Sequence, residues 1–109
     1  MNMDELLRKC RFSKRYQGYY AFRECLLIAL ENEETLLYVT GIYKDVARKL
    51  NISWKLAERN IRTMLDCSWN TGGRRHLEEL SGGTLYDKPT ISEVLEILVC
   101  YLKEHPAAD

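Results

Sequence analysis

The stretch that decides the fold runs from Tyr43 to Trp69 and reads YKDVARKLNISWKLAERNIRTMLDCSW. Apolar residues recur in it at three- and four-residue intervals on both sides of Asn51, which predicts two amphipathic helices joined by a tight turn. Asn tolerates the left-handed backbone that such a turn needs. Ser53 is a natural N-cap for the second helix. This arrangement is typical of a helix-turn-helix, placed here at about 43–69.

Small and apolar side chains give both helices of this unit an inward face. Ala47 supplies the small residue at the point where the second helix crosses the first. The positions expected to be buried are Val46, Ala47, Leu50, Ile52, Ala57, Ile61, Met64 and Leu65.

Polar side chains suited to the major groove fall on the opposite face of the second helix, which is predicted over about 54–69. Arg forks onto guanine O6 and N7, Glu accepts from cytosine N4, and Lys contacts bases or phosphates. The residues of this face are Lys55, Glu58, Arg59 and Arg62. An ordinary solvated helix with a Glu58–Arg62 pair four residues apart fits the same pattern, so both interpretations stay open for this segment alone.

Nearly every other segment also has a helical period, and no strand alternation persists. Gly72-Gly73 is expected to close the second helix of the unit. Thr90 and Glu93 have capping-box spacing at the start of the last helix. The sequence therefore predicts an all-α, six- to seven-helix bundle that contains a helix-turn-helix, as one domain over residues 1–109.

Composition and charge exclude several classes of protein. The chain has no apolar run of the ~18 residues that a membrane span needs and no signal-peptide pattern, so we expect a cytoplasmic protein. Net charge is zero, but the charges lie in blocks: eight basic and three acidic residues from Lys44 to Arg75, and two basic and seven acidic residues after it. Because local fields steer a polyanion, zero net charge does not exclude a nucleic-acid partner.

No motif indicates catalysis or metal binding. The cysteines at positions 10, 25, 67 and 100 are widely spaced, whereas a zinc site favours close pairs, so we expect reduced and mostly buried thiols. Cys67 and His76 are the nearest approach to a nucleophile–base pair, and no family motif supports them. The sequence thus predicts no enzyme activity, no cofactor, no metal and no small-molecule substrate.

From Leu6 to His105 the chain resembles the C-terminal, DNA-binding effector domains of the sporulation regulator Spo0A. The matching blocks, in order, are Gly18-Tyr19 with Phe22-Arg23-Glu24, Asp45 to Asn51, Glu58-Arg59 with Ile61-Arg62, Trp69, Lys88-Pro89-Thr90 with Ser92-Glu93, and Glu104-His105. The resemblance implies a six-helix DNA-binding domain in transcription control, with copies packed in tandem on DNA. It also implies base reading by Glu58 and Arg59 and a DNA contact by Arg62.

Two departures from that family pattern stand out. Leu56 occupies the position of a base-reading Arg, so the preferred DNA sequence is expected to differ from the family's usual one. The chain has no room for the receiver domain that precedes the family's effector domain. It is either an excised fragment or a stand-alone relative, and the run from Met1 into the first helix favours the second.

Together these observations predict a sequence-specific, double-stranded-DNA-binding transcription regulator, sporulation-related and acting as a homodimer or as tandem copies. The predicted DNA-contacting residues are Ser53, Lys55, Leu56, Glu58, Arg59, Arg62, Thr63, Arg74 and Arg75. The alternative is a protein-interaction module of the same fold that modulates a full-length relative and has lost base reading; Leu56 and the zero net charge favour it.

Overall fold

A computed structural model describes residues 2–106 of the chain. Met1, the favoured natural start, and residues 107–109 of the predicted domain lie outside them. The helices are α1 (Met3–Lys9), α2 (Gly18–Glu31), α3 (Val39–Leu50), α4 (Trp54–Ser68), α5 (Arg74–Ser81) and α6 (Ile91–Glu104); a 3₁₀ segment (Glu33–Tyr38) precedes α3, and a π turn (Trp69–Gly73) follows α4. Over residues 2–106 no strand forms, so the all-α prediction is confirmed.

The predicted number of helices is wrong. Within the described residues the helical segments join into five continuous stretches, not six or seven. The 3₁₀ segment runs directly into α3, and α4 continues through the π turn into α5. Gly72 does adopt a left-handed backbone, with φ +107°, but the helix resumes at once instead of ending there. The glycine pair therefore kinks the helix without closing it.

Local capping fixes where several helices begin. The Asn2 side chain accepts a hydrogen bond from the Glu5 amide at 2.8 Å at the start of α1. At the start of α6, Thr90 and Glu93 form the reciprocal capping box that their spacing predicts. Such caps satisfy amide groups that have no partner within the helix.

The core is built around α2, which packs against α3, α4 and α6. Gly18 lets α2 approach α4 closely: a Cβ at this position would lie 2.3 Å from the Asn60 carbonyl oxygen. Asp4 of α1 accepts hydrogen bonds from the Tyr19 hydroxyl at 2.7 Å and from Arg23 Nε at 3.1 Å. These bonds hold the pKa of the Asp4 carboxyl below its usual value and attach α1 to α2.

The inward face of the helix-turn-helix is largely as predicted. Val46, Ala47, Ala57, Ile61, Met64 and Leu65 are all buried. Leu50 is the exception, because 36 % of it is exposed at the end of α3, and Ile52 is only partly buried.

All four cysteines are free thiols, but only half of them are buried. Burial raises the pKa of Cys10 and of Cys25 to about 12, whereas Cys67 is partly exposed and Cys100 is exposed. In the part of the chain that the structure describes, no three metal-ligating side chains come together. No helix of that part is long and apolar enough to cross a bilayer.

Candidate nucleic-acid interface

The turn between α3 and α4 has the predicted geometry. Asn51 adopts the left-handed conformation, with φ +58° and ψ +45°, and the amide of Ile52 donates to the Ala47 carbonyl at 3.0 Å. The Ser53 hydroxyl then accepts from the Leu56 amide at 3.1 Å and caps α4. The bonds on both sides of the turn set the angle at which α4 leaves α3.

The outer face of α4 presents one polar surface, which we call the reading surface. It is a shallow, open groove lined by Ser53, Lys55, Leu56, Glu58, Arg59 and Arg62. Lys55, Arg59 and Arg62 are exposed, and Leu56 and Glu58 are half-buried at its edges. Thr63 is exposed one turn further along but does not line the groove. Seven of the nine predicted residues thus lie on or beside one face of α4.

The charged groups of the reading surface differ in how they are engaged. Glu58 and Arg62 form an ion pair one turn apart, with Arg62 59 % and Glu58 25 % exposed. No ion pair among residues 2–106 involves Lys55 or Arg59. Among the described residues, the surface therefore carries two cations without an ion-pair partner, next to one ion pair whose charges cancel.

Lys44 extends this surface and was missed by the sequence reasoning. Its Nζ lies 5.9 Å from the centre of the Trp54 ring, and Lys55 Nζ lies 5.8 Å from the same ring. The ammonium groups of Lys44 in α3 and Lys55 in α4 thus both lie near the indole of Trp54, the first residue of α4. The helical spacing of Lys44 marks it only as outward-facing, so its position beside Trp54 was not predictable without the angle between the helices.

Arg74 and Arg75 do not join the reading surface. The Arg74 guanidinium lies 5.1 Å from the centre of the Trp69 ring and 3.8 Å from Glu78. Arg75 lies 3.7 Å from Glu79 and lines a different cavity. Both follow the π turn, which redirects the chain after α4.

A family model described as sporulation initiation factor Spo0A C terminal matches residues 3–102. The chain belongs to that family. The Spo0A C-terminal family is one of DNA-binding effector domains in transcription regulation and sporulation, and it is not a family of enzymes. Its domain binds double-stranded DNA.

The match to the Spo0A C-terminal family spans all the helices described above, from the first residue of α1 to Leu102 in α6. The reading surface thus lies within the matched region. Of the two groups considered for catalysis, Cys67 is partly exposed, and His76 Nδ1 lies 3.3 Å from Glu79.

Proposed function

We propose that this domain binds duplex DNA in a sequence-specific manner, with α4 in the major groove and Arg59 as the principal base-reading residue. The observation that carries the proposal is the state of Arg59, which is exposed at the centre of the reading surface and engaged in no ion pair among the described residues. A guanidinium that is free in this way can fork onto guanine O6 and N7 without first breaking an internal bond.

The neighbouring residues have complementary roles in this proposal. Glu58 accepts from cytosine N4, and Arg62 contacts DNA once its pair with Glu58 opens. Leu56 is the apolar member of the groove and meets a thymine methyl group where the family carries Arg. Because a lost bidentate pair removes about 1–3 kcal/mol of discrimination, the preferred sequence differs from the family's usual one.

Phosphate contacts fix the position of the helix in the groove. Ser53, Lys55 and Thr63 lie at the ends and flank of the reading surface, where the two DNA strands would pass. Lys44 is added to this group because Trp54 holds it next to Lys55. Such contacts supply most of the sequence-independent affinity.

In the cell, the same proposal describes a cytoplasmic, sporulation-related transcription regulator in which residues 1–109 form one domain. Two copies act together, as a homodimer or in tandem, because one module makes few base contacts and nanomolar specificity needs two half-sites.

Selection from a random duplex pool tests the proposal. The parent chain should enrich a defined motif, and Arg59→Ala should weaken it. Arg59→Lys is the matched control: it keeps the charge and loses the fork, so it should retain binding to random DNA while losing selectivity. If the parent enriches nothing at low salt, the proposal is wrong.

The alternative function is a protein-interaction module that modulates a full-length relative. Leu56 in the groove and the closed Glu58–Arg62 pair favour it, since both reduce the groups available to bases. The same selection separates the two functions, because such a module enriches no motif and its Arg59→Lys variant behaves like the parent.

A further inference from the structure

A second basic cavity lies away from the reading surface, where the end of α1 meets the start of α5. It is lined by Arg8, Lys9, Arg11, Gly72, Arg75, His76 and Glu79. It is a shallow depression of about 370 Å³ that is at least as open to solvent as the groove of the reading surface. No residue is shared with the groove of the reading surface.

Close backbone packing builds this cavity. Gly73 is buried, and a Cβ there would lie 2.7 Å from the Cys10 carbonyl oxygen and 2.6 Å from that of Ser68. Only glycine therefore lets the π turn approach the end of α1 to this distance. Gly72 is favoured here by its φ of +107°, since a Cβ at that position would lie at an ordinary contact distance of 3.5 Å from Arg11 Nε.

The cavity carries a strong excess of positive charge. Four cations line it, Arg8, Lys9, Arg11 and Arg75, against the one carboxylate of Glu79. In the described part of the chain, Arg8, Lys9 and Arg11 make no ion pair, and Arg75 has only the 3.7 Å contact with Glu79.

Helix stability explains only part of this cluster. Cations in the last turn of α1 favour that helix, which accounts for Arg8 and Lys9. Arg75 is exposed in the first turn of α5 and forms an ion pair with Glu79 one helical turn further on. Arg11 has a left-handed backbone with φ +68°. The pair with Glu79 thus accounts for Arg75 locally, whereas Arg11 makes no ion pair in the described part of the chain.

One histidine forms part of the cavity wall. His76 lines the cavity and is 19 % exposed; its Nδ1 contacts Glu79, while its Nε2 is buried without a hydrogen-bond partner among residues 2–106. The His76 ring therefore lies where a bound anion would alter its chemical environment.

We propose that this cavity is an oxyanion site that binds a phosphate group. Guanidinium groups bind phosphate oxygens in forked pairs, and an ammonium adds a point charge. The phosphate has two possible sources, the backbone of a duplex that already occupies the reading surface or the phosphate ester of a separate small ligand. The first source rests on the proposed function, whereas the second is independent of it.

Titration with inorganic pyrophosphate, followed by NMR of the histidine rings, tests the site directly. His76 and His105 are the two histidines of the chain, and His105 stacks on Tyr101 at the other end of the sequence, so it is an internal control. We expect saturable shifts at His76 and none at His105. Glu79→Gln should tighten binding severalfold, because it removes the one opposing charge.

A double substitution, Lys9→Gln with Arg75→Gln, removes two charges from exposed helix positions where Gln is well tolerated. It should weaken pyrophosphate binding at least tenfold. Lys103→Gln is the control for charge loss, because Lys103 lies on α6 and pairs with Glu33, and it should have no effect.

The salt dependence of DNA binding identifies the source of the phosphate. If the duplex backbone fills the cavity, the double variant should reduce the slope of log K against log salt by about two and leave the motif selected through Arg59 unchanged. An unchanged slope with lost pyrophosphate binding assigns the site to a separate ligand. The proposal is overturned if the double variant alters neither measurement, or if Lys103→Gln has the same effects. If the parent chain selects no DNA motif, that result contradicts the proposed role of the reading surface and leaves the pyrophosphate site unaffected.

Discussion

Replacing Gly18 with Ala should show how closely stability and DNA reading are connected in this domain. An added Cβ would lie 2.3 Å from the Asn60 carbonyl oxygen and 2.9 Å from Ile61 Cα, whereas ordinary contact begins at 3.4 Å. The difference, 3.4 − 2.3, means that α2 and α4 must separate by about 1.1 Å along this line. The obstructing atoms belong to the α4 backbone, so no side-chain rotation relieves the clash.

The magnitude follows from two opposing effects. Forcing an extra carbon into a packed contact costs about 1–3 kcal/mol, and the better helix propensity of Ala returns at most ~1 kcal/mol. Because the obstructing atoms are backbone, we expect a cost near the upper end of that range and a net loss of about 2 kcal/mol. For a domain of this size, that corresponds to a fall in Tm of roughly 8–16 °C.

Differential scanning calorimetry measures this change, and Gly83→Ala is the matched control. A Cβ at Gly83 meets no atom within 4 Å, so that variant should stay within about 0.5 kcal/mol of the parent. At a temperature where all three proteins are folded, Gly18→Ala should also bind its selected DNA more weakly, because Asn60 and Ile61 directly follow Arg59. A Gly18→Ala protein that melts within about 2 °C of the parent would refute the close-contact argument.

Two further predictions concern local interactions. Ser53→Ala should cost about 1 kcal/mol in thermal unfolding by leaving the Leu56 amide uncapped, while Ser53→Asp restores the cap; equal losses in both variants would contradict this role. Asp4→Asn tests the low pKa of the carboxyl bonded to Tyr19 and Arg23. Its folded-state pKa is depressed, so its stabilisation is present above the usual carboxyl pKa of about 3.9 and is lost as pH falls through the lower, folded value. Urea unfolding should show the variant less stable than the parent at pH 7, with the difference disappearing in stronger acid; a constant difference would rule out the linkage.

Local chemistry is what made the helix-turn-helix predictable from sequence. The Asn51 turn, the Ser53 cap and the alternation of faces on α4 all depend on residues within one or two helical turns of each other. The capping box at Thr90 was predictable for the same reason. In such cases the side chain and the backbone group that it satisfies are near neighbours in the chain, and spacing alone specifies the contact.

The sequence predictions were wrong where contacts between distant segments of the chain decide the structure. Gly72-Gly73 has the composition of a helix end, but packing of Gly73 against the Cys10 carbonyl carries the chain onward into α5. Leu50 has the spacing of a buried residue, yet α3 ends before anything covers it. Arg11 and Arg75 line one cavity because of the same contact between α1 and the π turn, so no local pattern indicates it.

The closed Glu58–Arg62 pair has a consequence for how such a domain would search a genome. While the pair is closed, α4 presents only Lys55 and Arg59 as uncompensated charges, so its attraction to random duplex is weaker than its count of basic residues implies. Competition from non-specific sites, of which a genome holds about 10⁶–10⁹, is reduced accordingly. An exposed pair of residues four apart is worth only about 0.3–0.5 kcal/mol, so in the proposed DNA complex a correctly placed base or phosphate would open it at little cost.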